Sequence, residues 1–274
     1  MSNKVLKPKK ASLYQFTQKY SNNIDNCIEF FKSMKWPEGF SCDRCGCHKY
    51  YLVKRVGKTK TSYVLECSSC HKQHSLLSGT IFQSCKLDLY KLLLGIFLFF
   101  NKNKGISAVE LCSILDVNYK TALLLESKCR ILMSLSNSDK LLNSLFYEAD
   151  VFNIGAKSKN KAGRASEQQP VLGILSTDKE NNYPRFIKLR LINDYTGLSL
   201  KKNIEQCCVL SHAALLNTDG EKGFNTLGTE IQVKNEKISY EEKNHRLLWL
   251  NILIGNIKNN ITGIYHGITK REMP

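Results

Sequence analysis

The chain has 274 residues, of which 42% are apolar, so it can form two or three small domains with packed cores. Its formal net charge of +16 favours a polyanionic partner, for which nucleic acid is the default, although a basic surface can also serve solubility alone. The most apolar stretch, residues 89–100, contains Lys91 and is too short for a membrane span, so it predicts a buried helix.

The N-terminal residues 1–23 predict a loose basic arm. The first twenty residues carry five lysines and no acidic residue, and no apolar core follows that would indicate a signal peptide. The eleven cysteines could suit a secreted disulfide protein, but the missing signal sequence and the paired spacing favour a reducing compartment and metal binding. We therefore expect an intracellular, DNA-associated protein, in the cytoplasm and nucleoid or in a nucleus.

Two Cys-x-x-Cys pairs, Cys42 with Cys45 and Cys67 with Cys70, predict a four-thiolate zinc site. Gly46 follows the first pair and lets the backbone turn tightly beside the sulfurs. Because all four ligands are thiolates, the zinc ion is expected to be structural. A rubredoxin-like redox site is the weaker alternative, because no electron-transfer domain is evident and the positive charge suits nucleic acid better.

The residues around the cysteines predict a zinc ribbon over 24–84. Residues 24–35 have the pattern of a short amphipathic helix, and residues 50–53 and 62–65 alternate as the strands of a hairpin do. Residues 73–82 have strand and turn character.

A helical region, residues 85–140, follows the ribbon. It begins with a predicted helix over 86–100, and two further helices, 106–115 and 119–133, are separated by the short turn 116–118, which indicates a helix-turn-helix. A plain helical hairpin is the alternative. The second helix offers to solvent or DNA the side chains of Asn118, Tyr119, Lys120, Lys128 and Arg130.

From residue 141 to 274 the pattern changes to strands interleaved with helices, which predicts a mixed α/β sheet. The predicted strands are 145–151, 171–176, 186–192 and 213–217, the predicted helices are 198–205 and 247–257, and 155–168 is a predicted loop.

Carboxylates lie at the centre of one of these strands and at the tip of another. Glu148 and Asp150 are two residues apart and therefore project from the same strand face, and Asp219 ends another apolar strand. Carboxylates that converge in this way can hold Mg²⁺, which takes oxygen ligands. An aspartate at a strand end is also commonly a turn residue, so the pattern alone leaves both readings open.

Asn251 and Lys258 are seven residues apart in the last predicted helix, which is close to two turns, so they share one helix face. Asparagine offers a neutral carbonyl oxygen to a metal ion, and lysine offers a point charge to a phosphate. A solvated surface is the alternative for such a pair.

The order of zinc ribbon, helix-turn-helix and α/β carboxylate domain resembles the zinc-ribbon insertion-sequence transposases of the ISXO-like group, to which the eukaryotic Merlin elements are related. The resemblance runs from about Cys27 to Lys270. It rests on Lys35-Trp36-Pro37-Glu38-Gly39-Phe40 before Cys42, on residues 67–73 and 78–82 after the hairpin, on residues 106–108 and 119–122 of the helix-turn-helix, and on residues 148–150, 218–220 and 263–266 of the last domain.

The resemblance implies an RNase H-like fold for residues 141–274 and a catalytic acidic triad. It assigns Asp150 and Asp219 to a catalytic Mg²⁺ or Mn²⁺ site, Asn251 to the third position, and Lys258 to a basic companion. The implied reaction cuts double-stranded DNA at element ends and joins the freed 3′ hydroxyl to target DNA, with two metal ions activating first water and then that hydroxyl. Pairing of two DNA ends predicts at least a homodimer on DNA.

A second function stays open at this point. The chain stops at Pro274, soon after Asn251, so a C-terminal truncation of the last domain is expected. A catalytically decayed or domesticated copy would bind DNA through its ribbon and helix-turn-helix alone.

Overall fold

The computed structural model describes residues 11–57, 61–102, 105–138, 141–155, 168–178, 183–228, 231–235 and 247–265. The chain forms two compact units, Met1–Ser134 and Leu135–Pro274, and each is described by itself. Among the described residues, none of the helices is both long enough and apolar enough to cross a membrane.

The first unit contains a small sheet and a set of helices around one core. In chain order its elements are α1 Leu13–Tyr20, α2 Ile24–Lys35, β1 Tyr50–Val56, β2 Thr61–Cys67, β3 Gln73–Ser75, α3 Leu89–Asn101, α4 Ala108–Leu115 and α5 Tyr119–Ser138, the last of which continues past the unit boundary. The three strands pair antiparallel in the order β1-β2-β3. The predicted helix 24–35 and the predicted hairpin are both confirmed.

The prediction of a loose arm over 1–23 was wrong for the part that forms helix α1. Ser12 and Gln15 form a reciprocal capping box at the start of this helix. Phe16 is buried, and its ring stacks on that of Phe97 in α3 at a centroid distance of 4.2 Å. The local sequence does not reveal this partner, because it lies some eighty residues away in the chain. The lysines before residue 11 lie outside the described residues.

The two helices and the short turn predicted for this region are confirmed as α4, residues 116–118 and α5, and their use as a DNA-binding helix-turn-helix stays a prediction. Ser107 caps α4 by accepting a hydrogen bond from the Glu110 amide, and Asp116 takes a left-handed conformation, φ 48°, in the turn. Helix α3 supports both helices at Gly95. A Cβ there would lie 2.5 Å from a Leu125 methyl carbon and 3.0 Å from one of Leu115, so a larger residue would force these leucine side chains to shift.

The second unit is a mixed five-stranded sheet, as the sequence predicts, with helices on its two faces. Its elements are β4 Phe146–Ile154, β5 Gln169–Asp178, β6 Tyr183–Leu191, α6 Gly197–Glu205, β7 Leu215–Thr218, a 3-10 helix Lys222–Leu227, β8 Gln232–Asn235 and α7 Leu248–Tyr265. The spatial order is β6-β5-β4-β7-β8. Strands β4, β5 and β6 pair antiparallel, whereas β4, β7 and β8 pair parallel.

Two hydrophobic clusters cover the two faces of this sheet. On one face Tyr147 and Ala149 of β4 pack with Leu200 of α6 and with the 3-10 helix. On the other face Phe152 of β4 packs with Leu250 of α7. Because side chains alternate along a strand, Glu148 and Asp150 also lie on the face toward α7. The predicted loop at 155–168 lies largely outside the described residues, at 156–167.

Candidate functional site

The four predicted zinc ligands come together in the ribbon. The sulfurs of Cys42 and Cys70 are 3.6 Å apart, those of Cys45 and Cys67 are 3.5 Å apart, and all four lie within 4.8 Å of one another. Zinc–sulfur bonds of about 2.3 Å in a tetrahedron place the sulfurs about 3.8 Å apart. The donor set and its spacing therefore fit a structural zinc ion with no open position.

The backbone turns tightly after each cysteine pair, and its amides favour the thiolate of Cys42. Gly46 has φ 71°, as predicted, and His71 takes the matching left-handed position after the second pair with φ 56°. Burial alone would raise the pKa of the Cys42 thiol, but the amides of Arg44 and Cys45 donate to its sulfur and the pKa falls to about 6. A lowered thiol pKa favours the thiolate, which is the form that binds metal.

An aromatic cluster joins helix α2 to the metal site. The Phe40 ring lies 5.2 Å from Trp36, 5.1 Å from Tyr50 and 5.3 Å from His74, measured between ring centroids. The Lys35 ammonium adds a hydrogen bond of 2.7 Å to the Ser75 carbonyl. The segment before Cys42 that carried part of the resemblance therefore has a packing role.

The five residues predicted to face DNA on α5 differ in their surroundings. Tyr119 and Lys120 are exposed in the first turn of the helix. The side-chain oxygen of Asn118 accepts hydrogen bonds from the amide and hydroxyl of Thr121, at 2.8 Å and 2.9 Å, and so caps the helix. Two other cations make contacts within the unit: Lys128 donates to the Gln83 carbonyl at 3.0 Å, and Arg130 pairs with the buried Glu126 at 3.4 Å.

Parallel pairing of β4 and β7 explains how Asp150 and Asp219 come to the same level of the sheet. Glu148 is the register partner of Asn217, and each aspartate lies two residues further along its own chain segment. Neighbouring strands are separated by about 4.8 Å, so Asp150 in the middle of β4 and Asp219 just after β7 lie side by side. Gly220, with φ 95°, then turns the chain away.

Helix α7 brings the other two predicted residues to the same place. Asn251, Ile254 and Lys258 all face one cleft, which follows from their spacing along one side of a helix. The segment 263–266 that contributed to the resemblance begins near the end of α7, and His266 lies outside the described residues.

A cleft of about 680 Å³ thus collects the four side chains that the resemblance assigned to the catalytic site. Its lining residues are Asp150, Val151, Phe152, Asn153, Ile154, Gly155, Gln168, Asp219, Asn251, Ile254, Lys258, Ile261 and Thr262. Two carboxylates and an amide oxygen form a hard oxygen donor set, which fits Mg²⁺ or Mn²⁺. The catalytic roles of these residues remain a prediction.

Glu148 does not line the cleft, although it shares a strand face with Asp150. It is 5% exposed, and its carboxylate accepts a hydrogen bond of 2.9 Å from the Leu250 amide at the start of α7. Burial raises the pKa of Glu148 to about 7, and the Leu250 amide opposes this only in part. The carboxyl therefore anchors α7 to β4 from below the cleft.

This raised pKa predicts a pH dependence of stability. Because the folded state holds the Glu148 proton more tightly than the unfolded chain does, the contribution of Glu148 to stability is fully present below pH about 4.5 and is lost as the pH rises through about 7. The full effect is about 3 kcal/mol for this buried group. Glu148→Gln keeps an acceptor for the Leu250 amide and is expected to flatten the decline.

The measurement is urea unfolding at pH 5 and pH 8, with EDTA in the buffer to remove divalent cations. The chain has two tryptophans, Trp36 and Trp249, so Trp249 fluorescence in a Trp36→Phe background reports on the second unit alone. If the free energy of unfolding falls by the same amount between pH 5 and pH 8 in wild type and in Glu148→Gln, Glu148 is not the group responsible for the decline.

Sequence reasoning overlooked three residues around the cleft. Phe152 lies two residues beyond Asp150 and hence on the same strand face, a signal that period-two spacing does carry. Gly173 faces Asp150 across the β4–β5 pair, and a Cβ there would lie 3.3 Å from both Phe152 and Leu250 carbons. Asn153 accepts a hydrogen bond of 2.9 Å from the Tyr195 hydroxyl. The last two depend on contacts that no local pattern reveals.

Along the chain, the zinc ribbon is followed by an RNase H-like domain. This class of domain is defined by the sheet order, by the antiparallel pairing of its first three strands, and by the carboxylates on or next to the parallel strands β4 and β7. Comparison with protein families agrees. The transposase zinc-ribbon domain matches residues 23–73, and the ISXO2-like transposase domain matches residues 145–274. These two matches place the chain in the family of zinc-ribbon insertion-sequence transposases of the DDE type, as its resemblance implied. No curated protein matches it.

Proposed function

We propose that this transposase cuts DNA at element ends and joins the freed 3′ ends to target DNA, with its chemistry in the cleft between β4, β7 and α7. The observation that carries the proposal is that Asp150, Asp219, Asn251 and Lys258 all line that cleft. Four residues from three separate parts of the sequence meet there, within the domain that the transposase family matches.

Each side chain has a role that follows from its chemistry. Asp150 and Asp219 would hold Mg²⁺ or Mn²⁺, and the Asn251 amide oxygen would complete the protein ligands. When bound, such ions supply a Lewis acid that activates the attacking oxygen and stabilises the leaving one. Lys258 carries a positive charge to the cleft, where it can pair with a DNA phosphate.

The first unit would bind the DNA. In the helix-turn-helix, the exposed Tyr119 and Lys120 at the start of α5 are the members of the predicted set best placed to reach a groove or a phosphate. Asn118, Lys128 and Arg130 contribute to that surface mainly by fixing α5, since each makes a contact within the unit. Double-stranded DNA is the proposed partner, and a homodimer would pair two ends in an intracellular, DNA-associated complex.

The test is cleavage and strand transfer by the full chain with its zinc retained. The probe is a labelled duplex that carries the terminal inverted repeats flanking the coding sequence, incubated with Mg²⁺ or Mn²⁺. Wild type is expected to cut and join, while Asp150→Ala and Asp219→Ala lose activity by a factor on the order of a thousand, since several kcal/mol of transition-state stabilisation are removed. Asp178→Ala is the control, because Asp178 lies on β5 outside the cleft and pairs with Arg185.

Binding without cleavage by wild type would instead favour a decayed or domesticated DNA-binding protein. Equal activity in wild type and both cleft variants would refute the site.

A further inference from the structure

Phe152 occupies an unusual place in the cleft, because it is a large apolar residue among the proposed catalytic groups. It lies on β4 two residues after Asp150 and is 5% exposed. Its cross-strand partner is Val171, and it packs in the same cluster as Leu250 and Ile254 of α7. The ring is therefore held between the sheet and the helix that carries Lys258.

The Lys258 ammonium lies over this ring, with the nitrogen 5.5 Å from the ring centroid. This distance is within the range of a cation–π interaction, in which the negative face of the ring attracts a cation. Lys258 itself is exposed, and an exposed lysine otherwise samples many rotamers. The ring thus selects the rotamers that keep the ammonium at the cleft.

Gly173 makes room for this arrangement. It pairs with Asp150 across the sheet, and a side chain there would press on both Phe152 and Leu250, with carbon–carbon distances of 3.3 Å. The absence of a Cβ lets the Phe152 ring and α7 settle close to the sheet. The position of the ring is consequently fixed by the backbone of β5 as well as by the apolar cluster.

We propose that Phe152 is a positioning residue, which holds the Lys258 ammonium in the cleft beside Asp150 and Asp219 and so orients it toward a DNA phosphate. The second half of this inference rests on the proposed function, whereas the first half concerns only the free protein. Phe152 acts through Lys258 and needs no contact with DNA. A purely structural role would require only an apolar side chain of similar size.

The first measurement needs neither DNA nor catalysis. Lysines are methylated reductively with ¹³C, and the Lys258 resonance is identified by its loss in Lys258→Arg. In the folded wild type this resonance is expected upfield of the other lysines, because the ring current of Phe152 shields groups above its face. Phe152→Leu keeps an apolar side chain and should return the resonance to the ordinary lysine position, while Phe152→Tyr should retain the shift.

An unshifted Lys258 resonance in the wild type, or one unchanged by Phe152→Leu, would overturn the positioning role. Should Phe152→Leu fail to fold, incorporation of ring-fluorinated phenylalanines at position 152 keeps the shape and weakens the negative ring face stepwise. The ammonium should then leave the ring in proportion to the number of fluorine atoms. A Lys258 chemical shift that does not change with fluorination would equally overturn the proposal.

The second measurement uses strand transfer and a double-mutant cycle between positions 152 and 258. Phe152→Leu is expected to raise the KM for end DNA about two- to five-fold, which is the size of an exposed cation–π contact, with little change in kcat. In a Lys258→Ala background the same substitution should have no further effect. Independent effects of the two substitutions would overturn the proposed role of Phe152 in DNA binding. An inactive wild type would refute the proposed function, and the Lys258 resonance would still decide whether Phe152 positions the ammonium.

Discussion

Removal of zinc is expected to unfold the ribbon, residues 40–80. Structural zinc contributes on the order of 10 kcal/mol to the folding of small zinc domains, because the site does not exist in the unfolded chain. Here two of the ligands, Cys42 and Cys67, are 2% and 0% exposed, so their loss opens the core of the unit as well as the metal site. Wild type should contain one zinc ion per chain and lose it to a strong chelator together with its ribbon structure.

Trp36 gives a local signal for this change, because its ring packs against Phe40 beside the metal site. In a Trp249→Phe background, its fluorescence should shift to that of a solvated indole on chelation, and hydrogen exchange over residues 40–80 should accelerate. The ribbon also offers a matched pair of variants. Cys45→Ser removes a ligand, whereas Cys47→Ser changes a cysteine outside the cluster of four.

Cys45→Ser is expected to release zinc at chelator concentrations that leave wild type intact, and Cys47→Ser should behave as wild type does. A ribbon that keeps its fluorescence and its exchange protection without metal would show that the aromatic cluster alone holds this region.

Replacement of either cleft aspartate by cysteine should make activity depend on the choice of metal. With Mg²⁺ as the only divalent cation, Asp150→Cys and Asp219→Cys are expected to lose cleavage by a factor on the order of a thousand, since a hard ion binds sulfur poorly. Mn²⁺ accepts a softer ligand more readily and should restore part of the lost rate. Wild type should not gain from Mn²⁺ in this way: its cleavage rates in the two ions should differ only by its ordinary preference for one of them.

This selective rescue distinguishes a metal ligand from a residue that is merely needed for folding. Asp178→Cys is the control, and it should be active with either ion, because Asp178 lies outside the cleft. The assays keep zinc bound in the ribbon, so that the added cation acts only on the second unit. Loss of activity in both cysteine variants with no recovery in Mn²⁺ would argue against direct ligation.

Much of the first unit could be predicted from sequence because its signals are local. The Cys-x-x-Cys spacing defines each half of the metal site within four residues, and Ser107 and Asn118 mark the starts of α4 and α5 by capping them. Helix α1 has a local capping signal in Ser12 and Gln15, but its place in the core depends on the stacking of Phe16 on Phe97 from a different helix. Only a contact between distant parts of the chain makes that helix part of the core.

In the second unit, the sequence by itself determined the class of domain and the residue types: alternating strands, one aspartate within a strand and another at a strand end, and Asn251 and Lys258 at helical spacing. Only the tertiary structure decided which of these meet. The parallel pairing of β4 with β7 sets Asp150 and Asp219 at one level, and the contact of Leu250 with Glu148 seats α7 above them. The same packing places Lys258 over Phe152. The physical reason is that spacing along a chain fixes which face a side chain occupies, whereas the residue opposite that face is chosen by long-range pairing and packing.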